Sequence, residues 1–394
     1  MAEQSSSRRG IVFRALTLVA VALIAASFFA PGWWVSLKAP NYPEATFPDG
    51  IRIHFHMDSV RNGCQIRASQ EVEEDEALDC VHEMDTINHY VGMYPIASGG
   101  PVEKAYSPFL FSFLIVMALA FAAPGRKSRM AVSVLGYGAI AVWMGMTMYM
   151  PGGIAFQGKG YVYGLVNSLG LDVAETVDDS NLAPIVRQLR DSLAKSQPQE
   201  PAAAAGAVAT KDGLIAKLKT NFNIDQFKKP AEKRLEWTGS GLQVLAWHYE
   251  KSLARWFNIP EKNGPLAAMM DSIATLLGAA ILGAMALMIF AAWSVRSPFY
   301  WLLVLAPAIL PIGFLAEYSA WLWWYGHSLN EMGAFTLKPF MPTVFGQGKV
   351  AQFTTYSYPH YGFALMVASS VLLALAGLIR AKQLRLAGDT AENL

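Results

Sequence analysis

Six uninterrupted apolar stretches constrain this chain more than any other feature of its sequence. A bilayer core about 30 Å thick needs roughly 20 apolar helical residues to cross it. The stretches that approach or exceed this length cover residues 12–37, 108–123, 130–150, 266–293, 299–323 and 361–379. With 53% hydrophobic and only 15% charged residues in 394, the sequence predicts an all-α integral membrane protein with about six transmembrane helices.

Lysine and arginine residues predict the orientation, because positive residues in short flanks are retained on the cytoplasmic side. They lie before or at the start of the first span, between the second and third, between the fourth and fifth, and after the sixth: Arg8, Arg9, Arg14, Arg126, Lys127, Arg129, Arg296, Arg380, Lys382 and Arg385. Both termini are therefore predicted to be cytoplasmic, in the inner membrane of a bacterium. Trp33 and Trp34 are interpreted as interfacial anchors at the outer end of the first span. The alternative, a cleaved secretory signal, would leave the remaining topology unchanged.

This topology divides the chain into seven parts. Four contain the spans: residues 1–37 with the cytoplasmic N-terminus, 108–150, 266–323, and 361–394 with the cytoplasmic C-terminus. Three are exported: a first outer domain at 38–107, an outer helical domain at 151–265 with a flexible linker at 197–210, and an outer cap loop at 324–360. Whatever the protein binds is expected on this outer side.

The first outer domain is predicted to contain β-structure. Residues 51–56 alternate apolar and polar side chains, which is typical of a half-buried strand and places His54 and His56 on one face. In an oxidising compartment, Cys64 and Cys80 are expected to form a disulfide worth about 3 kcal/mol in the chain-entropy model.

All seven histidines fall outside the predicted spans, so a b-type haem with imidazole ligands inside the bilayer is not indicated. A copper site is the sharper hypothesis, because imidazole and thioether ligands suit copper better than magnesium or calcium. Its candidate ligands in the first outer domain are His54, His56, Met57, His82, Met84, His89 and Met93. In the third span, Met144 and Met148 share a helical face and are candidate thioether ligands for Cu(I).

Structural roles for the same residues are the alternative to copper binding. Outer-loop histidines are ordinarily exposed or hydrogen-bonded structural residues, and methionines in a span usually pack against neighbours or lipid. Arg52 shares the strand face with His54 and His56, and its charge would oppose a bound metal ion unless the side chain turns away.

A second group of candidates lies at the predicted membrane edge: Asp271, Glu317, His327 and His360. Carboxylates within spanning helices are costly and therefore suggest function, although water near the interface weakens that argument. Pro307 and Pro311 are expected to kink the fifth span.

Several classes of function are not indicated. The net charge is +1 and no basic stripe with interleaved aromatic residues occurs, so nucleic-acid binding is discarded. Motifs for phosphate binding, zinc proteolysis or a nucleophile elbow are missing from the sequence, which favours a protein without catalytic activity of its own.

Two stretches carry a resemblance to known proteins. The run NHYVGM at 88–93, and KPF at 338–340 together with SYPH at 357–360, resemble a poorly characterised family of bacterial six-span membrane proteins associated with periplasmic copper enzymes, particularly the nitrous oxide reductase system. The resemblance covers the first outer segment and the last third of the chain. It implies a respiratory role in assembling, supplying copper to, or passing electrons to a periplasmic metalloenzyme partner.

The sequence therefore predicts a membrane-anchored accessory protein of a periplasmic metalloenzyme system that binds or delivers copper or supports electron supply. A non-catalytic structural subunit of a membrane enzyme complex is one alternative. A small-molecule permease is another, and the scarcity of polar residues at mid-depth speaks against it.

Overall fold

The structure is a computed structural model that describes residues 2–64, 79–170, 210–334, 337–350 and 352–392. Its helices are α1 Ala2–Phe29, α2 Cys80–Tyr90, α3 Pro101–Ala122, α4 Arg126–Tyr149, α5 Lys159–Ser168, α6 Lys211–Phe227, α7 Gly241–Trp256, α8 Pro260–Trp293, α9 Leu302–Ala308, α10 Leu310–His327 and α11 Tyr361–Glu392. Its strands are β1 Trp33–Lys38, β2 Ile51–Phe55, β3 Val60–Asn62, β4 Gly346–Val350 and β5 Phe353–Pro359. The predicted linker at 197–210 lies outside the described residues, apart from Thr210.

Long apolar helices coincide with all six predicted spans. Five helices of the described chain are long and apolar enough to cross a membrane: Gly10–Phe29 in α1, Pro101–Ala122, Arg126–Tyr149, Pro260–Trp293, and Tyr361–Leu386 in α11. The segment Pro298–Ala308 and α10 form a sixth candidate that is bent by 59°. Pro307 and Pro311 flank this bend, and the predicted kink is confirmed because a proline ring removes a helical hydrogen bond and clashes with the preceding turn.

The apolar helices pack into one bundle. α1 lies along α11 and α3, α3 contacts α4 and α9, and α8 packs on α4. Gly136 permits the close approach of α4 to α3, because a Cβ atom there would lie 2.7 Å from Cγ1 of Val116. Within the bundle, α3 therefore lies beside the bent helix pair formed by α9 and α10.

An antiparallel sheet with the strand order β3-β2-β1-β5-β4 covers one end of the bundle. β1 is its centre and pairs with both β2 and β5, so the first and third outer segments form a single sheet. The ring of Trp33 in β1 contacts Phe314 and Tyr318 of α10 and Phe363 of α11. Its indole N–H donates to Ser357 Oγ at 2.8 Å. These contacts fix the sheet on the bundle, and we call this end of the molecule the sheet side.

Two predicted span boundaries were wrong. The first span was predicted to run to residue 37, but α1 ends at Phe29 and the following apolar residues form β1. Trp33 is therefore a core residue, 2% exposed, and not an interfacial anchor. Hydropathy alone does not separate a helix from a buried strand that follows it. The helix predicted to begin at 108 begins at Pro101, a residue that suits the first helical position.

A disulfide joins Cys64 and Cys80, as the sequence predicts. It links the chain just after β3 to the first residue of α2, with 6.1 Å between the Cα atoms. α2 is therefore held beside the sheet, and Asp79 caps it by accepting from the backbone N–H groups of Val81 and His82.

Candidate functional site

Three histidines meet beside the sheet, and we call His54, His56 and His360 the histidine cluster. His54 lies on β2, His56 follows the same strand, and His360 lies between β5 and α11. The ring centroids of His54 and His360 are 5.1 Å apart. The predicted alternation is confirmed, since Ile51 and Ile53 are buried while His54 is half-buried. Because β1 pairs with both β2 and β5, His360 at the end of β5 lies near His54. From the sequence, His360 was expected in the group at the membrane edge.

Burial keeps the histidine cluster uncharged. Desolvation lowers the pKa of His54 and of His56 to about 4, and it also lowers the pKa of His360. Nearby charges add to this effect: His360 and Arg52 lower the pKa of His54, and Arg61 lowers that of His56. All three imidazoles are therefore neutral at pH 7, which is the form that binds metals.

Hydrogen bonding at the ring nitrogens leaves His54 and His56 as the possible metal ligands of this cluster. His56 Nδ1 is buried and has no hydrogen-bond partner within the described residues. His360 Nδ1 accepts a hydrogen bond from the backbone N–H of Tyr361 at 2.8 Å. A neutral His360 consequently carries its proton on Nε2, so neither nitrogen has a free lone pair.

Arg52 turns away from the cluster. Its guanidinium carbon lies 4.4 Å from the ring centroid of Trp34, and it forms an ion pair with Asp49 at 3.4 Å. The objection that a fixed cation would face a bound metal is therefore weakened, although its charge still influences His54.

The other candidate ligands of the first outer domain lie on α2 and just after it, in different surroundings. His82 and His89 share one helical face, and both rings contact Trp256 of α7. Met84 and Met93 are buried in the core. Met84 is two residues from His82, about 200° around the helix, so it faces away from both histidines. The predicted ligand set is not assembled on one face.

The remaining predicted residues occupy separate environments. His327 is exposed and stacks on Trp323, Asp271 is half-buried on α8, and Glu317 lines a cavity described next. Met144 and Met148 pack in the core, and the sulfur of Met148 accepts a hydrogen bond from Gln157. Packing accounts for both methionines, and copper binding by them stays a prediction.

A cavity of about 90 Å³ lies between the sheet, α3 and α10, and we call it the carboxylate cavity. Its polar lining consists of His56, Glu103, Lys104 and Glu317. Its aromatic lining consists of Phe55, Phe314, Tyr318, Trp321 and Tyr325. Gly100 adopts a φ of +60°, which favours glycine, and its Cα lies at the cavity where a Cβ atom would come within 4 Å of both carboxylates.

Hydrogen bonds hold part of the carboxylate cavity in place. The indole N–H of Trp321 donates to Glu103 Oε1 at 3.2 Å, and Lys104 Nζ donates to the backbone oxygen of Ala97 at 2.8 Å. Glu103 Oε2 is buried and has no hydrogen-bond partner in the described part of the chain. The cavity therefore offers an acceptor atom that the protein itself leaves unused at Glu103 Oε2, and an unused ring nitrogen at His56 Nδ1.

A smaller cavity of about 30 Å³ adjoins the first, and both are lined by Val60 and Lys104. Its other polar residues include Asp58 and His248. His248 is buried beside Ser168 Oγ at 2.8 Å, and desolvation lowers its pKa to about 4. This volume holds about one water molecule.

The described residues include no group of three His, Cys, Asp or Glu side chains placed to hold a metal ion. Comparisons with known protein families, curated proteins and solved structures found no match to this chain. The function must therefore be argued from the geometry of the sheet side.

Sequence reasoning identified Glu317 but missed Glu103, Lys104 and Trp321 as its neighbours. The signal was present, because Gly100-Pro101 is a typical helix start. A helix that begins at Pro101 places two ionisable residues in the first turn of an apolar span, where charges are costly and suggest function.

Proposed function

We propose that this chain is a multi-pass membrane accessory protein that binds copper at its sheet side and serves an exported metalloenzyme. The observation that carries the proposal is the buried, unpartnered ring nitrogen of His56, which lies beside the thioether of Met57 and close enough to the neutral His54 for the two imidazoles to interact. The positive flanks predict that this side faces the periplasm.

Two side chains fit copper best. His56 has an unpartnered buried ring nitrogen, and Met57 supplies a thioether beside it at the carboxylate cavity. His54 is a further imidazole, and it influences the pKa of His56. Imidazole with thioether favours Cu(I) over hard cations. So small a donor set suits an ion that is passed on and not stored, as the resemblance to copper-enzyme accessory proteins implies.

A titration of the purified full chain with Cu(I), buffered by a competing chelator, tests this function. We expect one copper ion per chain, and at least ~10-fold weaker binding after His56→Ala, because a ligand is lost. His54→Ala should weaken binding less. The matched control is His327→Ala, an exposed histidine on the same side that should change nothing.

Two results would contradict the proposal. The first is substoichiometric copper in the wild-type protein at every chelator concentration. The second is equal affinity in the His56→Ala and His327→Ala variants.

A further inference from the structure

We propose that the carboxylate cavity binds a compact ammonium group of about the size of protonated ethanolamine. The ligand is identified by charge, by unused acceptors, by aromatic walls and by volume. The site depends on Glu103 and Glu317, which the copper proposal does not use, so variants of these glutamates test it separately from copper binding.

The cavity holds two carboxyl groups and one ammonium group. Glu103 and Glu317 carry two formal negative charges, while Lys104 supplies one positive charge and is electrostatically coupled to both, first to Glu317. Two carboxyl groups therefore face one ammonium, and a bound cation would stabilise the charged form of the second carboxyl group.

The hydrogen-bonding groups also favour a donor. The N–H group of Trp321 donates to Glu103 Oε1 and the ammonium of Lys104 donates to Ala97, whereas Glu103 Oε2 is buried without a partner in the described residues. An ammonium group has up to three N–H donors and no acceptor, so it matches a cavity rich in acceptors.

Aromatic rings line the cavity. Phe314 and Tyr318 stack on each other with ring centroids 6.2 Å apart, and Trp321 completes the aromatic lining on α10. Aromatic faces attract ammonium cations through the ring quadrupole, and the attraction grows when water is excluded. Rings and carboxylates together distinguish an organic cation from a neutral molecule of the same shape.

Other ligand classes fit less well. An anion would face two carboxylates. A metal ion would need His56, Glu103 and Glu317 close enough to share it, and these three are not placed to do so. The cavity volume of about 90 Å³ exceeds the space that a single water molecule needs and admits a group as compact as ethanolamine.

The ammonium can come from a lipid headgroup or from a free amine. The cavity lies where α3 and α10 meet the sheet, which is the level at which headgroups of the outer leaflet are expected. Both sources present the same group, and the experiment separates them.

The first arm measures binding of ethanolamine and its neutral isostere propan-1-ol to the full chain in nanodiscs of phosphatidylglycerol, at pH 7. We expect saturable 1:1 binding of ethanolamine, at least ~10-fold tighter than propan-1-ol, and a loss of at least ~10-fold in Glu103→Gln and in Glu317→Gln. The matched control is Glu331→Gln, an exposed carboxylate on the sheet side.

Two further variants keep the proposal testable if a glutamine variant fails to fold. Phe314→Leu should weaken ethanolamine binding by about threefold, because one aromatic face is lost. Lys104→Gln should instead tighten it, because the internal competitor for the carboxylates is removed. A purely structural role for Lys104 would not increase affinity.

The second arm reconstitutes the protein in nanodiscs that contain phosphatidylethanolamine and identifies retained lipid by native mass spectrometry. Retention that disappears in Glu317→Gln identifies a lipid headgroup, and binding of free ethanolamine without lipid retention identifies a soluble amine. The proposal is overturned if propan-1-ol binds as tightly as ethanolamine, or if neither glutamine variant nor Phe314→Leu changes ethanolamine affinity.

Discussion

The histidine cluster and the carboxylate cavity lie side by side and share His56, yet they are built in different ways. The cluster consists of neutral imidazoles on and beside the sheet. The cavity places two carboxyl groups and one ammonium between apolar helices and is completed by the sheet. The difference teaches that the sheet is a wall common to two regions of different chemistry.

The largest effect is expected from removing the side chain that fixes this common wall. Trp33→Ala should lower the free energy of unfolding by about 3–5 kcal/mol, because a fully buried ring and its hydrogen bond to Ser357 are lost. Both copper and ethanolamine binding should weaken. Unfolding in mixed micelles measures the change, with Trp34→Ala as control because Trp34 is only half-buried. Equal losses in the two variants would show that Trp33 has no special role in docking the sheet.

Removing the disulfide should affect the histidine cluster more than the carboxylate cavity. Replacing Cys64 and Cys80 by serine should cost about 3 kcal/mol in the chain-entropy model, since the two positions are 16 residues apart. The crosslink ties the end of β3 to α2, not to α3 or α10, so copper affinity should fall more than ethanolamine affinity. Titrations of both ligands in the double variant provide the measurement. A greater loss of ethanolamine binding would place the disulfide's influence at the cavity instead.

Copper binding should be lost at a lower pH than at a site made of exposed histidines. Because the folded pKa of His54 and His56 is lowered to about 4, protons compete with copper only as the pH falls toward that value. We therefore expect copper affinity to stay level from pH 8 to about pH 5 and to fall below it, measured with chelators calibrated at each pH. A decline centred near pH 6.5 would contradict this account.

The smallest effect is expected at Arg52. Arg52→Met removes a cation–π contact with Trp34 and a partly exposed ion pair with Asp49, so stability should fall by less than about 1 kcal/mol. The pKa of His54 should rise, because a neighbouring positive charge that lowers it is gone. Titration of the His54 ring by NMR tests the sign. An unchanged or lowered pKa would mean that this charge does not act on the cluster.

Features that depend on local sequence patterns were predicted, whereas features that depend on contacts between distant segments were not. The alternation at 51–56 and the apolar runs are local patterns, so β2 and the positions of the long apolar helices were predicted, apart from two boundaries. The contact of His360 with His54 depends on pairing between strands from opposite ends of the chain, which no local pattern encodes. Glu103 was missed because the apolar stretch of its helix was counted from residue 108. The end of α1 was also missed, because the apolar run continues from the helix into β1.

The most direct test of the central claim, that the sheet side holds two separate sites, is a double dissociation in one set of proteins. Copper and ethanolamine affinities are measured in wild type, His54→Ala and Glu317→Gln, which avoids His56 because it touches both sites. We predict that His54→Ala weakens copper binding alone and Glu317→Gln weakens ethanolamine binding alone. Parallel losses of both ligands in both variants would contradict the account.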